Sequence, residues 1–229
     1  MNPRLLLVIV LCALVLFLAA CSPPPPATDS PFQHEEAEYV LAFVIDVSPS
    51  LDDFALGKDG RAFRFFIRNK DAFFRDRAGS SDRILLAQIS GKEKALLWDG
   101  TPRHFRREFP NASALKRYYE DHAHFGGSRV FDSLTDTVKY LVGYHETRKV
   151  KSTLIVLSDM DDNFPNADHS KARLLAALKD YANKGGMVGF YWVDHRFAPE
   201  WKRHLSDAGF RHFRVESDIV AEPPLLEFD

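Results

Sequence analysis

Residues 39–50 of the chain read YVLAFVIDVSPS, an apolar run followed by polar side chains at every second position. A strand that is covered on both faces of a sheet has such a continuous apolar pattern, whereas a strand with one solvated face alternates. The stretch therefore predicts a buried strand over 39–46 that ends at Asp46, with Ser48 and Ser50 in the turn that follows.

Three further runs repeat this pattern, at 82–90, 152–159 and 186–193, and stretches with helical spacing lie between them. The helical positions are Phe63, Phe66, Ile67, Phe73 and Phe74, then Val130, Leu134, Val138 and Leu141, then Leu174, Leu178 and Tyr181. A short helix at 199–209, a last strand at 212–216 and an antiparallel edge strand at 95–98 complete the series. The alternation predicts an α/β fold, a doubly wound and mostly parallel sheet of about six strands with helices on both faces.

Oxygen-bearing side chains follow two of the predicted strands. Asp46, Ser48 and Ser50 can point to one place from a tight turn, and Asp159 ends a later strand. Ser128, in the loop GGS at 126–128, adds a hydroxyl at the start of a helix. Because ligands of such folds bind beyond the carboxyl ends of the strands, these groups predict a site for a hard cation such as Mg²⁺.

In this arrangement the sequence resembles a von Willebrand factor type A (vWA) domain. The Asp-x-Ser-x-Ser motif of that family matches Asp46, Ser48 and Ser50, its later aspartate matches Asp159, and its threonine position falls on Ser128. The resemblance implies a metal-ion-dependent adhesion site for Mg²⁺ or Mn²⁺, in which the three serines contact the ion and the aspartates bind directly or through water. It also implies a protein partner that supplies a carboxylate, and no catalysis.

The N-terminal region predicts export and lipidation. Residues 5–20, LLLVIVLCALVLFLAA, are short for a membrane span, and LAAC at 18–21 resembles the lipobox of bacterial lipoproteins. We therefore expect cleavage before Cys21 and acylation of its thiol, with an uncleaved signal anchor as the alternative. Since no aspartate follows Cys21, the predicted location is the outer membrane facing the periplasm.

The remaining boundaries follow from composition. Residues 21–37 are rich in proline and polar groups and predict an extended tether, 38–222 fit one vWA-like domain, and 223–229 form a tail. The formal net charge of −2 gives no indication of a nucleic-acid partner.

Other interpretations of the polar residues remain open. Asp46, Ser48 and Ser50 also fit a turn that satisfies its own backbone, and Asp161 and Asp162 fit a solvated loop tip. His122 and His124 fit a transition-metal site less well than a solvated surface, and RHFRR at 103–107 fits a charged surface segment that could meet anionic headgroups or an acidic partner. A hydrolase using Ser48 or Ser50 lacks a GxSxG elbow, and a structural lipoprotein with an inactive site is the third alternative.

Overall fold

The apolar runs form one sheet in the computed structural model of the chain, which describes residues 37–47, 60–75, 77, 79–89, 95–122, 127–147 and 149–226. The strands are β1 Tyr39–Asp46, β2 Arg83–Ile89, β3 Leu96–Gly100, β4 Lys151–Leu157, β5 Met187–Val193 and β6 Phe213–Ser217. The helices are α1 Arg61–Phe74, α2 Pro102–Glu108, α3 Ala112–His122, α4 Val130–Thr147, α5 Ala167–Asn183 and α6 Ala198–Asp207.

The six strands have the order β3-β2-β1-β4-β5-β6. Strands β2, β1, β4, β5 and β6 are parallel, and β3 pairs antiparallel with β2 at one edge. The predicted fold class, including the single antiparallel edge strand, is confirmed.

The sequence of the central strand β1 is apolar up to its last residue, Asp46, because all eight residues of the strand are buried. Val40, Ala42 and Val44 belong to the core beneath α4, α5 and α6, and the alternate residues Leu41 and Phe43 belong to the core beneath α1, α2 and α3. Strand β1 therefore contributes to two separate hydrophobic cores, one on each face of the sheet.

The sequence prediction missed helices α2 and α3. Helix α2 contains the RHFRR segment, so the expectation of a plain charged surface was incomplete: Phe105 is buried, and its ring lies 5.4 Å from that of Trp98. The start of α2 carries local signals, since the Thr101 hydroxyl accepts a hydrogen bond from the His104 N–H (3.3 Å) and proline occupies the first helical position. The helix was missed because one apolar side chain per turn gives little periodicity.

None of the helices in the described ranges is long and apolar enough to span a bilayer. The apolar run at 5–20 lies outside those ranges, as does Cys21.

A buried carboxylate joins the β2–β3 hairpin to helix α4. Asp99 accepts hydrogen bonds from the Arg83 guanidinium (2.8 and 2.9 Å) and from the hydroxyls of Tyr140 (2.9 Å) and Tyr144 (2.6 Å). Burial, together with the charge of Asp99, raises the pKa of both tyrosines, so their hydroxyls remain donors. The carboxylate is therefore fully used in holding the edge of the sheet to the helix layer.

Replacing Asp99 with alanine leaves the Arg83 charge buried without its counterion. We expect the free energy of unfolding to fall by about 3–5 kcal/mol, as when one partner of a buried ion pair is deleted. Denaturant unfolding measures the loss. The control is Asp71→Ala, whose side chain is 62% exposed and pairs with Lys70 at the surface; it should change stability by less than about 1 kcal/mol. Equal effects of the two substitutions would contradict this account.

Candidate functional site

The parallel pairing of β1 with β4 brings two of the predicted ligands to one edge of the sheet. The ladder ends with Ile45 opposite Leu157, so that Asp46 and Ser158 follow at the same level. Asp159 lies two residues beyond the end of β4 instead of ending the strand as expected, because the chain turns there, with Met160 at a φ of 64°. The two aspartates therefore follow adjacent strands, as the site hypothesis requires.

The carboxylate of Asp46 is completely buried and oriented by a serine that the sequence analysis overlooked. The Ser158 hydroxyl donates a hydrogen bond to Asp46 Oδ2 (3.0 Å) and accepts one from the Met160 N–H (3.0 Å). Ser158 thus links Asp46 to the turn that carries Asp159. Its only sequence signal is its position before Asp159 in the segment LSD.

The carboxylate of Asp159 is half-buried within a turn of its own backbone. Its Oδ1 accepts a hydrogen bond from the Asp161 N–H (3.0 Å). Burial raises the pKa of Asp159, and the negative charges of Asp161 and Asp194 raise it further, while the hydrogen bond from Asp161 partly opposes them. The ionised carboxylate therefore lies in surroundings that disfavour its charge, and a nearby cation would reverse this.

Ser128 lies in a loop that fits closely against the β4–α5 loop. The residue is buried, and its N–H donates to Asn163 Oδ1 (3.1 Å). The preceding Gly127 has a φ of 109°, and a Cβ there would come within 3.2 Å of the Phe164 ring. Only glycine combines this backbone conformation with such a close approach. Asn163 therefore ties the Ser128 loop to the loop that carries Asp159.

Asp162 strengthens the same junction. Its carboxylate accepts hydrogen bonds from the N–H groups of Phe131 (2.8 Å), in the first turn of α4, and Phe164 (3.0 Å). Asp162 thus accepts a hydrogen bond from an N–H group in the first turn of α4, although it lies in a different loop. Such N–H groups usually bond to the residue just before the helix. The interpretation of Asp162 as part of a solvated tip was wrong, whereas Asp161 is exposed as that interpretation expects.

The predicted ligand set lies only partly within the described residues. Asp46, Ser128 and Asp159 are described, and Ser48 and Ser50 lie outside, as does His124. Two carboxylates and a hydroxyl are the oxygen donors that a hard divalent cation prefers, so the described part of the set fits Mg²⁺ or Mn²⁺.

The histidines do not assemble a transition-metal site in the described part of the chain. His122 Nδ1 contacts the carbonyl of Tyr118 (2.7 Å), and its ring stacks against that tyrosine. Across the described ranges, no group of three or more His, Cys, Asp or Glu side chains is placed to hold a metal ion. The vWA arrangement differs from such groups because hydroxyls supply several of its ligands.

Solved structures share the fold of this chain. Proximal thread matrix protein 1 from the mussel byssus, with a zinc-occupied MIDAS motif, has a TM-score of 0.54 and 14% identity over 81% of this chain and 43% of its own. Manganese-loaded TRAP protein of Plasmodium vivax has a TM-score of 0.53 and 12% identity, covering 80% and 69%. The pilus adhesin SpaC of Lactobacillus rhamnosus GG has a TM-score of 0.52 and 15% identity, covering 82% and 28%.

These neighbours are vWA-like domains, so the fold of this chain is the vWA-like α/β fold that its sequence motif implies. The chain spans less than half the length of the byssus protein and of the adhesin. No protein-family model matches the chain, and no curated protein is similar to it in sequence.

The raised pKa of Asp159 predicts how the metal-free protein responds to pH. The folded state favours protonated Asp159, so this residue stabilises the fold at acidic pH, and that contribution is lost as the pH rises through the folded-state pKa. In EDTA, Asp159→Asn should therefore be more stable than wild type at neutral pH, and its advantage should shrink towards acidic pH. Thermal unfolding across a pH series measures the difference.

Asparagine preserves the oxygen that accepts from the Asp161 N–H, so this test isolates the charge of Asp159. The control is Asp207→Asn at the exposed end of α6, which should give no comparable gain. A loss of stability in Asp159→Asn at neutral pH would contradict the account.

Proposed function

We propose that the chain is a membrane-anchored binding module of the vWA type that engages a protein partner in the cell envelope through a divalent cation. The observation that carries the proposal is the junction of Asp46, Ser158 and Asp159 at the ends of adjacent strands, with the Ser128 loop bonded to the same turn through Asn163. The junction gathers oxygen donors from two strand ends and one helix start.

Asp46, Ser48, Ser50, Ser128 and Asp159 would hold Mg²⁺ or Mn²⁺ in the proposed site. When bound, the ion supplies a positive charge with a coordination position that a carboxylate of the partner can occupy. The contribution of the chain is to keep the donors in place before binding. Ser158 orients Asp46, while Asn163 and Asp162 hold the Ser128 loop and the start of α4.

Binding rather than turnover is supported by the structural neighbours, which include a pilus adhesin and a matrix protein with a zinc-occupied MIDAS motif. Both have low sequence identity to this chain and contribute their fold and chemistry as analogy. The acidic residue proposed for the partner follows from the charge of the ion, because a carboxylate is the strongest protein ligand for a hard cation.

The proposed membrane anchor rests on the sequence of the N-terminal region. Residues 1–20 would be the signal peptide, Cys21 would carry the acyl chains, and 21–37 would be the tether to the vWA-like domain. The proposed location remains the outer membrane, with the domain in the periplasm.

The ion can be tested by calorimetry on the full chain. Titration with Mg²⁺ or Mn²⁺ should show one site, and the double substitution Ser48→Ala and Ser50→Ala should weaken binding at least about tenfold, equivalent to about 1.4 kcal/mol, because two oxygen ligands are lost. Ser206→Ala, at an exposed position of α6, is the matched control and should bind like wild type. Unchanged affinity in the double variant would place the ion elsewhere.

The bridge to a partner can be tested by pull-down from envelope extracts with wild type and Asp159→Ala, each with Mg²⁺ and with EDTA. We expect a partner only with wild type in Mg²⁺. The Asp159→Ala variant should still fold, because the aspartate lies beyond a strand end and its removal opens no core cavity. Asp161→Ala, at the exposed neighbouring position, should retain the partner. A partner retained equally in all conditions would eliminate the metal bridge.

A further inference from the structure

The edge of the sheet opposite the candidate site has its own charge pattern. The parallel strands begin at one level, with Tyr39 opposite Lys151, Val40 opposite Arg83, Thr153 opposite Met187, and Val188 opposite Phe213. The segments that lead into these strands therefore meet at one edge, which we call the N-terminal edge. The candidate site lies at the other end of the strands, which we call the site edge.

Exposed basic side chains predominate at the N-terminal edge. They come from four connections between elements and from the first position of β4, and are Arg75, Lys149, Lys151, Lys184 and Arg211. The acidic residues in the described parts of these segments are Glu38, which is exposed, and Asp82, which is buried and paired with Arg77 (3.3 Å). Two further exposed carboxylates, Glu146 and Asp207, lie in the last turns of α4 and α6, which end at this edge. The edge thus presents a positively charged surface to solvent.

Most of this positive charge is not neutralised within the described molecule. Arg75, Lys149, Lys184 and Arg211 form no salt bridge with any described residue. Two of them, Lys184 and Arg211, line a hollow of about 560 Å³ together with His212. The hollow offers room and positive charge for an anionic group of the size of a phosphate.

The site edge carries the opposite charge. Among the described residues, Asp159, Asp161, Asp162, Asp194 and Asp218 lie in its loops. Arg129 and Arg196 there are paired with Asp132 and Asp194 (2.8 and 2.6 Å), and Arg61 lies at the start of α1. A negatively charged surface would attract the N-terminal edge and repel the site edge. The molecule therefore has a preferred orientation in the field of such a surface.

The chain connects to the proposed tether at the N-terminal edge. Strand β1 starts there at Tyr39, separated only by Glu38 from the segment 21–37. Fully extended, these tether residues reach at most about 60 Å, so an anchor at Cys21 would keep the edge close to the bilayer. Electrostatic attraction acts over only about 8–10 Å at physiological salt, and a tether of this length would let the basic edge approach the bilayer to that distance.

From the charge, the hollow and the place of the tether we infer that the N-terminal edge docks on anionic phospholipid headgroups and turns the site edge away from the membrane. This inference rests on the membrane anchor proposed above, but not on the metal site. Each basic side chain near an anionic surface favours docking by about fivefold, so the set acts together.

The test uses the full chain reconstituted in vesicles of phosphatidylcholine alone or mixed with phosphatidylglycerol, with EDTA present. A membrane-permeant amine reagent and mass spectrometry report the reactivity of each lysine. Lys149, Lys151 and Lys184 should react at least about fivefold more slowly in the anionic vesicles. The exposed Lys139 on α4 and Lys202 on α6 should react equally in both. About 1 M salt, where the screening length falls to about 3 Å, should abolish the protection.

A charge-reversal pair sharpens the test. Lys149→Glu with Lys184→Glu should abolish the protection of Lys151, whereas Lys139→Glu with Lys202→Glu, which changes the net charge equally, should preserve it. Equal reactivity of Lys149, Lys151 and Lys184 in the two kinds of vesicle would overturn the inference.

Vesicle flotation separates this inference from the anchor itself. A chain that floats only with anionic vesicles would contradict the lipid anchor and support docking by charge, and a chain that floats with neither would overturn both. Because EDTA is present and no partner is added, failure of the metal bridge has no effect on the result.

Discussion

The parallel pairing of β1 with β4 is the constraint on which the site depends. Both strands are buried on both faces, so a shift of one residue would exchange the side chains that fill the two hydrophobic cores. The register that places Ile45 opposite Leu157 is therefore fixed by packing, and it leaves Asp46 beside Ser158. The position of the acidic group at the site edge is thus determined by apolar side chains below it.

Burial of Asp159 imposes an energetic cost that its loop only partly offsets. The Asp161 N–H donates to this carboxylate, as the Ser158 hydroxyl does to Asp46, yet burial and neighbouring charges still raise the pKa of Asp159. A buried polar group without full compensation destabilises the fold. Such a cost is typical of residues retained for function, and a bound cation would offset it.

The strands and longer helices could be predicted because their signals are local. Unbroken apolar runs mark the buried strands, and repeated apolar positions mark α1, α4 and α5, whereas α2 has too few such positions. The supporting residues of the site could not be predicted in this way. Ser158 contacts Asp46 across 112 residues of sequence, Asn163 contacts Ser128 across 35, and Asp162 contacts Phe131 across 31. Their roles arise only when the chain after β4 lies beside β1 and the start of α4.

The opposite charges of the two edges have a partial explanation in the fold itself. Helices of a parallel α/β sheet begin at the site edge and end at the N-terminal edge, so their dipoles favour acidic groups at the former and basic groups at the latter. This accounts for Arg75 and Lys184, which are the C-cap residues of α1 and α5. The effect fades within the last helical turn, so it does not account for Arg211, three residues beyond the C-cap Ala208 of α6. This position extends the basic surface beyond what helix stability requires, which the proposed docking on an anionic surface would explain.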